Sequence, residues 1–165
     1  MKHLWAPWRM EFIKDIKQDR DDGCVFCEIA EEGDDRERLV LHRAKHCYVV
    51  MNRYPYNNGH LMIIPYRHLS SLKELKTEEL SEMMTLTSAS VEILQGAIEA
   101  EGCNCGLNIG RAAGAGIDDH IHMHIVPRWF GDNNFMPVLG DTRSMPEYLL
   151  ETYDRLAADF KELAR

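Results

Sequence analysis

The stretch "DDHIHMHIVPRW", residues 118–129, carries three of the chain's eight histidines at every second position. Strict alternation of polar and apolar residues is the period of a β-strand, because successive side chains point to opposite faces of a sheet. The pattern therefore predicts a strand with His120, His122 and His124 on one face. The other face would be formed by Ile121, Met123 and Ile125.

Three histidines in register need more than one explanation. Residues of a strand advance by about 3.3 Å, so His120 and His124 would lie about 13 Å apart. Because metal–nitrogen bonds are only about 2.1 Å long, one ion would bind two neighbouring histidines but not all three. At least one histidine therefore needs another task. The alternative, a solvated face that tolerates any polar residue, explains one histidine better than three in register.

The composition indicates a small globular protein. The 165 residues, 45% of them hydrophobic, are predicted to form a single domain over residues 1–165. Apolar runs are too short for a membrane span, and the N-terminal "MKHLWAPWRM" lacks the apolar region of a signal peptide. Five cysteines without an export signal indicate reduced thiols and a cytoplasmic location. The net charge of −8 argues against a nucleic-acid polymer as partner, since such binding depends on neutralising phosphates.

Short apolar segments bounded by turn residues predict the strands. They are residues 37–43, 46–52, 60–66, 105–110 and 119–128. The segment "GCVFCE", residues 23–28, is predicted to be a turn, and the acidic "EEGDDRE", residues 31–37, an exposed loop.

The period changes to that of a helix from Thr77 to Ala100. Its predicted apolar stripe consists of Leu80, Met83, Met84, Val91, Leu94 and Ile98. A last helix is predicted to begin near Pro146. Its inward-facing residues would be Leu149, Tyr153, Leu156 and Phe160. Short connections between successive strands favour antiparallel pairing, which predicts an α+β fold with about five strands and two main helices.

The segment "HIHMHIV" matches His-φ-His-φ-His-φ-φ, where φ is apolar, and resembles the signature of the histidine triad family of nucleotide hydrolases and transferases. Upstream, "GHLMIIPYRH" resembles that family's strand before its long helix. The resemblance covers residues 22–130 as a common core. The segments "LWAPWRMEFI" and "VPRWFGDNNFMPV" are similar to those flanking the core in the bacterial diadenosine tetraphosphate phosphorylase branch. The resemblance implies a histidine-triad fold and a homodimer in which two sheets become continuous.

The resemblance makes His122 the nucleophile that attacks the α-phosphorus of a nucleotide and forms a nucleotidyl-histidine, which a second acceptor then resolves. A neutral imidazole suits this role near pH 7. One ring nitrogen of His122 would need a fixed hydrogen-bond acceptor, such as a backbone carbonyl, so that the attacking nitrogen carries no proton. On the same face, His124 would then hydrogen-bond the phosphate or the leaving oxygen.

Cys24 and Cys27 have the spacing of a zinc half-site. The alternative is a pair of buried thiols that behave as small apolar residues. In zinc-containing members of the family, the other ligands are the histidine that ends the "IPxxH" strand and the first histidine of the triad, which implies His68 and His120 here. Four protein ligands would leave no position for water, so the Zn²⁺ would be structural. No organic cofactor is expected.

Phosphate binding is predicted in the loop before the triad, where Gly114 and Gly116 would let backbone N–H groups approach an anion. A plain turn is the alternative. The resemblance aligns Asn108 with a position that contacts phosphate and Asn52 with one that contacts ribose, although asparagine more commonly caps a turn.

The loop departs from the family pattern. Ala115, Gly116 and Ile117 stand where many relatives have Gly-Gln-Ser or Gly-Gln-Thr, so an amide and a hydroxyl are absent. This leaves the leaving-group contacts and the final acceptor, phosphate or water, open. Cys103 and Cys105 complete no ligand set and are interpreted as core thiols.

Two classes of function follow. The enzyme hypothesis is nucleotidyl transfer from a dinucleoside polyphosphate, with phosphorolysis favoured over hydrolysis and with nucleoside phosphoramidate hydrolysis as a further alternative. The other hypothesis is a nucleotide-binding interaction protein in which His122 only contacts phosphate. The complete triad favours catalysis, because a binding protein does not need an unligated nucleophile fixed beside a second histidine. The base preference and the phosphate chain length are not specified.

Overall fold

A computed structural model of the chain describes residues 23–133, residue 139 and residues 147–164. Within these ranges, one antiparallel sheet has the strand order β1-β2-β3-β5-β4. Its strands are β1 (Val40–Arg43), β2 (Cys47–Met51), β3 (Leu61–Pro65), β4 (Gly102–Leu107) and β5 (Met123–Arg128). The helices are α1 (Val25–Ala30), α2 (Asp35–Arg38), α3 (Thr77–Ala97) and α4 (Leu149–Phe160). The predicted α+β fold with five strands and two main helices is confirmed.

The two strands β2 and β3 form the centre of the fold, and each of their residues is buried. Both faces of β2 are covered. On one face the Tyr48 hydroxyl donates to the Phe26 carbonyl in α1 at 2.7 Å, and on the other the Cys47 thiol points to the Glu79 carbonyl in α3. Burial on both faces explains why these strands read as continuous apolar runs instead of alternating.

The predicted apolar stripe of α3 is wrong at two positions. Leu80 and Met84 are 40% and 57% exposed, whereas Thr87 and Ser90 are buried beside Met83. The stripe includes two small polar residues that a hydrophobic pattern misses. The Thr87 hydroxyl is satisfied locally, because it donates to the Met83 carbonyl at 2.8 Å. The helix ends at Ala97, three residues earlier than predicted.

The turn and loop assignments near the N-terminal end of the described chain are also corrected. The two-cysteine segment forms the start of α1, with Cys24 at the N-cap and Cys27 inside the helix. Part of the predicted acidic loop forms α2, because the Asp34 side chain accepts from the N–H groups of Arg36 and Glu37. The composition predicted an exposed loop, but this capping interaction stabilises a helical turn in part of the segment.

The last helix agrees with the prediction where it is described. Tyr153, Leu156 and Phe160 are buried in α4, and the Tyr153 hydroxyl donates to the Val40 carbonyl in β1 at 2.8 Å. The predicted start near Pro146 lies outside the described residues. None of the helices in the described part of the chain is long and apolar enough to cross a membrane.

Two matched substitutions in α3 test the corrected stripe. Leu94 is fully buried and Leu80 is 40% exposed. Leu94→Ala should lower the free energy of unfolding by about 2–5 kcal/mol because it leaves a cavity in the core, whereas Leu80→Ala should lower it by less than about 1 kcal/mol. Urea unfolding of both variants measures the difference, and equal losses would contradict the assignment.

Candidate catalytic and metal site

The triad segment enters the sheet later than its sequence pattern predicts. Strand β5 begins at Met123, which pairs with Ile63 of β3, so His120 and His122 precede the ladder. Two residues beyond Ile63 on β3 stands Pro65, which has no N–H to donate. Its carbonyl accepts instead from Nε2 of His120 at 2.9 Å. The predicted strand over residues 119–128 is therefore shorter at its start.

All three triad histidines are buried. His120, His122 and His124 are 1%, 6% and 8% exposed, and the intervening Ile121 and Met123 are buried as well. A solvated histidine face is therefore wrong. The imidazoles lie inside the protein, where each polar nitrogen needs a partner.

The structure brings the four predicted zinc ligands together, with their ligand atoms all within 4.8 Å of one another. Sγ of Cys24 lies 3.3 Å from Nδ1 of His120. Sγ of Cys27 lies 3.5 Å from Nδ1 of His68 and 3.7 Å from Nδ1 of His120. Bonds of about 2.1 Å to nitrogen and 2.3 Å to sulfur give a tetrahedron with edges of about 3.4–3.8 Å. Both the donor set and its spacing fit zinc.

The outer contacts of the two histidines also suit a metal site. Nε2 of His120 donates to the Pro65 carbonyl, and Nε2 of His68 lies 4.0 Å from a carboxylate oxygen of Asp119. The carbonyl contact keeps the proton of His120 on Nε2 and leaves its Nδ1 lone pair directed at the cysteines. Burial, with Cys24 nearby, raises the pKa of Cys27 to about 11. This thiol therefore stays protonated near neutral pH unless a cation replaces its proton.

The ring of His122 has its tautomer set by the backbone. Its Nδ1 lies 2.8 Å from the carbonyl oxygen of His120. A carbonyl can only accept, so Nδ1 carries the proton and Nε2 carries the lone pair. The fixed backbone acceptor expected from the sequence is therefore present. Burial lowers the pKa of His122 below the usual value of a histidine, which keeps its imidazole neutral near pH 7.

Sequence reasoning missed His60, which is fully buried immediately before β3. The N–H of Tyr56 donates to Nδ1 of His60 at 3.1 Å, so this nitrogen is an acceptor and Nε2 carries the proton. Nε2 of His60 in turn lies 3.0 Å from Nδ1 of His124 and donates to it. The proton of His124 is therefore on Nε2. One backbone N–H thus determines the proton positions on two histidines.

Of the residues predicted to contact the nucleotide, some lie beside the triad and others make turn contacts. The amide nitrogen of Asn108 lies 3.4 Å from Nε2 of His124, beside the triad. Because Nε2 carries the proton of His124, the amide has to turn its oxygen toward the ring to accept from it. The Asn52 side chain accepts from the N–H of Tyr54 at 2.9 Å, which is the turn-capping alternative. Gly114, with φ of 86°, ends a 3₁₀ turn over residues 111–113, and Gly116 is exposed in the same loop. Their contacts with a nucleotide stay predictions.

The remaining loop and cysteine assignments are partly corrected. Ile117, in the slot that departs from the family pattern, is buried. Cys103 is half-buried against the core, but Cys105 is exposed on the edge strand β4. The interpretation of Cys105 as a core thiol is therefore wrong.

Comparisons with known proteins agree with this geometry. The family model described as HIT domain matches residues 34–131. The AP-4-A phosphorylase of Mycobacterium tuberculosis is 37% identical over 97% of this chain and 85% of its own length. The asymmetrical bis(5'-nucleosyl)-tetraphosphatase of Schizosaccharomyces pombe is 32% identical over 54% of this chain and 48% of its own.

Among solved structures, a Zn-bound histidine triad family protein from Mycobacterium smegmatis superimposes with a TM-score of 0.68. It is 25% identical, and the alignment covers 86% of this chain and 96% of that one. The match of the family model extends over more than half of the chain. This protein belongs to the HIT domain family.

Acidification tests the buried histidines. Burial lowers the pKa of His60 well below its usual value, and the neighbouring His124 lowers it further. Unfolding therefore takes up protons below about pH 6.5, and the stability present above that pH is lost as the pH falls, by up to about 1.4 kcal/mol per pH unit for each such histidine. His60→Asn should make the decline between about pH 6.5 and 5 shallower. Denaturant unfolding at several pH values measures this slope, and equal slopes would disprove the assignment. Glu79, whose pKa is lowered to about 2 by Arg67, contributes only at lower pH.

Proposed function

We propose that this protein is a nucleotidyltransferase that cleaves dinucleoside polyphosphates, of which diadenosine tetraphosphate is the substrate to test, through a covalent nucleotidyl-His122. The observation that carries the proposal is the hydrogen bond from Nδ1 of His122 to the His120 carbonyl. It leaves a lone pair on Nε2 of a neutral imidazole, beside a histidine whose proton is on its own Nε2. The name of the mycobacterial relative supports the substrate class.

The first step pairs the two histidines. Nε2 of His122 attacks the α-phosphorus and forms a P–N bond, while the bond from that phosphorus to the bridging oxygen breaks. Nε2–H of His124 donates a hydrogen bond to this leaving oxygen and stabilises the negative charge that it takes with it, since the contact with His60 keeps the proton at that position. ATP leaves when diadenosine tetraphosphate is cleaved at either α-phosphorus.

The second step restores His122. An oxygen of the acceptor attacks the nucleotidyl phosphorus, the P–N bond breaks, and its electron pair returns to Nε2 of His122. A phosphate acceptor attacks through an oxygen that carries no proton, whereas a water acceptor releases its proton to solvent. Inorganic phosphate as acceptor would yield ADP, and water would yield AMP.

The same proposal assigns the substrate contacts. Asn108 would bind the phosphate beside His124, which its 3.4 Å distance from that ring supports. The loop with Gly114 and Gly116 would supply backbone N–H donors to the phosphates. Asn52 would contact the ribose either through its amide N–H group or through its oxygen, after the contact of that oxygen with the N–H of Tyr54 is broken. These roles rest on the family resemblance and on position.

Zinc would hold the fold rather than take part in the reaction. Cys24, Cys27, His68 and His120 would fill its four positions and leave none for water or substrate. The metal would supply a cross-link between α1 and the triad segment. The Zn-bound structure of the M. smegmatis relative supports this identity.

We also propose one domain over residues 1–165, a homodimer and a cytoplasmic location. The edge position of β4 supports a dimer, because its outer backbone groups could pair with a second copy of the sheet. The five free cysteines are consistent with a reducing compartment.

Phosphate is the preferred acceptor, with water as the second candidate. The phosphorylase relative matches almost the whole chain, whereas the tetraphosphatase relative matches about half of it. The loop adds a physical reason. Gly116 removes bulk, and buried Ile117 offers no hydroxyl to position water. Orientation of the attacking group can change the barrier by several kcal/mol.

Product analysis with diadenosine tetraphosphate tests both the nucleophile and the acceptor. ADP should increase with added phosphate, and intact-protein mass should reveal a nucleotide adduct. His122→Ala should abolish the adduct and lower turnover by several orders of magnitude because the covalent route is lost. His46→Ala, in the turn between β1 and β2, is the matched control and should retain both.

The outcomes separate the hypotheses. AMP and ATP formed at a rate independent of phosphate would make this protein a hydrolase. Turnover by His122→Ala near the wild-type rate would disprove the covalent mechanism.

Zinc should copurify at about one ion per chain, the stoichiometry of a closed four-ligand site. Cys24→Ser should remove the metal and lower the Tm, because the link between α1 and the triad segment is lost. Cys105→Ser replaces an exposed thiol on β4 and should change neither. Metal analysis and thermal unfolding measure the effects, and metal-free protein from a chelator-free purification would contradict the assignment.

A further inference from the structure

Phe26 stands between the two cysteines of α1 and is only 3% exposed. The centroid of its ring lies 4.9 Å from that of His122, with the two planes inclined at 55°. The same ring meets His120 edge-on, at a centroid distance of 5.6 Å. One aromatic side chain therefore contacts both the proposed nucleophile and a proposed metal ligand.

The helix that carries Phe26 depends on its neighbours. Six residues are too few for a helix that is stable by itself, and Cys24 at the N-cap makes no side-chain capping bond. At the C-terminal end, Arg43 donates to the carbonyls of Ile29 and Ala30. In the middle, the Tyr48 hydroxyl holds the carbonyl of Phe26 itself.

The N-terminal end of α1 is held differently. Here the thiols of Cys24 and Cys27 face the imidazoles of His120 and His68 at 3.3–3.7 Å. These are the atoms that a metal would join. Bound zinc would therefore fix the one end of α1 that the arginine contacts do not reach, and would fix Phe26 with it.

The ring of His122 needs such a support. Its described polar contact is the one from Nδ1 to the His120 carbonyl, which leaves the position of Nε2 dependent on packing. The His124 ring packs at 4.7 Å and Phe26 at 4.9 Å from the His122 centroid. A leucine in place of Phe26 would fill less of this space and would not present a flat surface to the imidazole.

We propose that Phe26 is a positioning residue that couples the metal site to His122. With zinc bound, α1 presses the Phe26 ring against the imidazole and keeps one tautomer with Nε2 in a single position. Without zinc the ring retreats, and the imidazole samples other rotamers and loses its bond to the carbonyl. This coupling rests on the proposed roles of His122 and of the metal.

The test compares Phe26→Leu with Phe160→Leu in zinc-loaded protein. Phe160 is fully buried in α4, so the second variant makes the same chemical change in the core away from the triad. Proteins labelled with ¹⁵N in the histidine rings are studied by NMR at a pH where the imidazoles are neutral, without nucleotide. The His122 signals are assigned by their loss in His122→Ala.

Wild type and Phe160→Leu should each show one His122 tautomer, with the proton on Nδ1. Phe26→Leu should retain zinc but show averaged nitrogen shifts for His122, and removal of zinc from wild type should produce the same averaging. Turnover of Phe26→Leu should fall about tenfold in kcat with little change in KM, since orientation rather than binding is lost.

Unchanged His122 signals in Phe26→Leu would overturn the proposal, as would unchanged signals after zinc removal from wild type. A variant that only loses stability, as a merely structural phenylalanine would predict, leaves the tautomer of the folded protein intact. Because the spectra are recorded without nucleotide, an error in the proposed substrate would leave this result unaffected.

Discussion

The hydrogen bond between Nδ1 of His122 and the carbonyl of His120 is the contact on which the rest of the site depends. The peptide of His120 accepts from one side chain, while its own ring lies between the Pro65 carbonyl and the cysteine thiols. His120 thus points its side chain into the cysteine–histidine cluster and orients the ring of His122 with its backbone carbonyl. The two-residue spacing of His120 and His122 places the carbonyl of the first within hydrogen-bonding distance of the ring of the second.

Much of the arrangement was predictable from the sequence, for identifiable reasons. The strands are encoded in apolar runs between turn residues, and the two-cysteine spacing indicated half of a metal site. The family resemblance supplied His68 and His120. The sequence pattern could not predict the register in which the strands pair. His60 lies two residues before Met62, so their side chains point to the same face of the sheet, and Met62 pairs with His124. Only this pairing reveals the contact between His60 and His124. Leu80 and Met84, in the first half of α3, were wrongly assigned to its buried stripe. They are exposed, and polar Thr87 and Ser90 complete the stripe.

The proton positions on the buried histidines follow from backbone groups that can only donate or only accept a hydrogen bond. The N–H of Tyr56 can only donate, and the carbonyl of His120 can only accept. Between these two fixed ends, His60, His124 and His122 have their tautomers determined without any ionised partner. A buried network of neutral rings avoids the desolvation cost of a charge. It also means that a change in a loop backbone can alter chemistry at a ring two contacts away.

The short helix α1 has a consequence for how this site could have been assembled. The HIT domain match begins at residue 34, after both Cys24 and Cys27. The sheet, the three histidines and the carbonyl that orients His122 all lie inside the matched region, whereas two of the four proposed metal ligands lie in front of it. A chain without that helix would lose Cys24, Cys27 and Phe26 together, and with them the cover over one face of β2. The thiol half of the proposed metal site is thus carried by a segment that lies outside the matched domain but packs against its central strand.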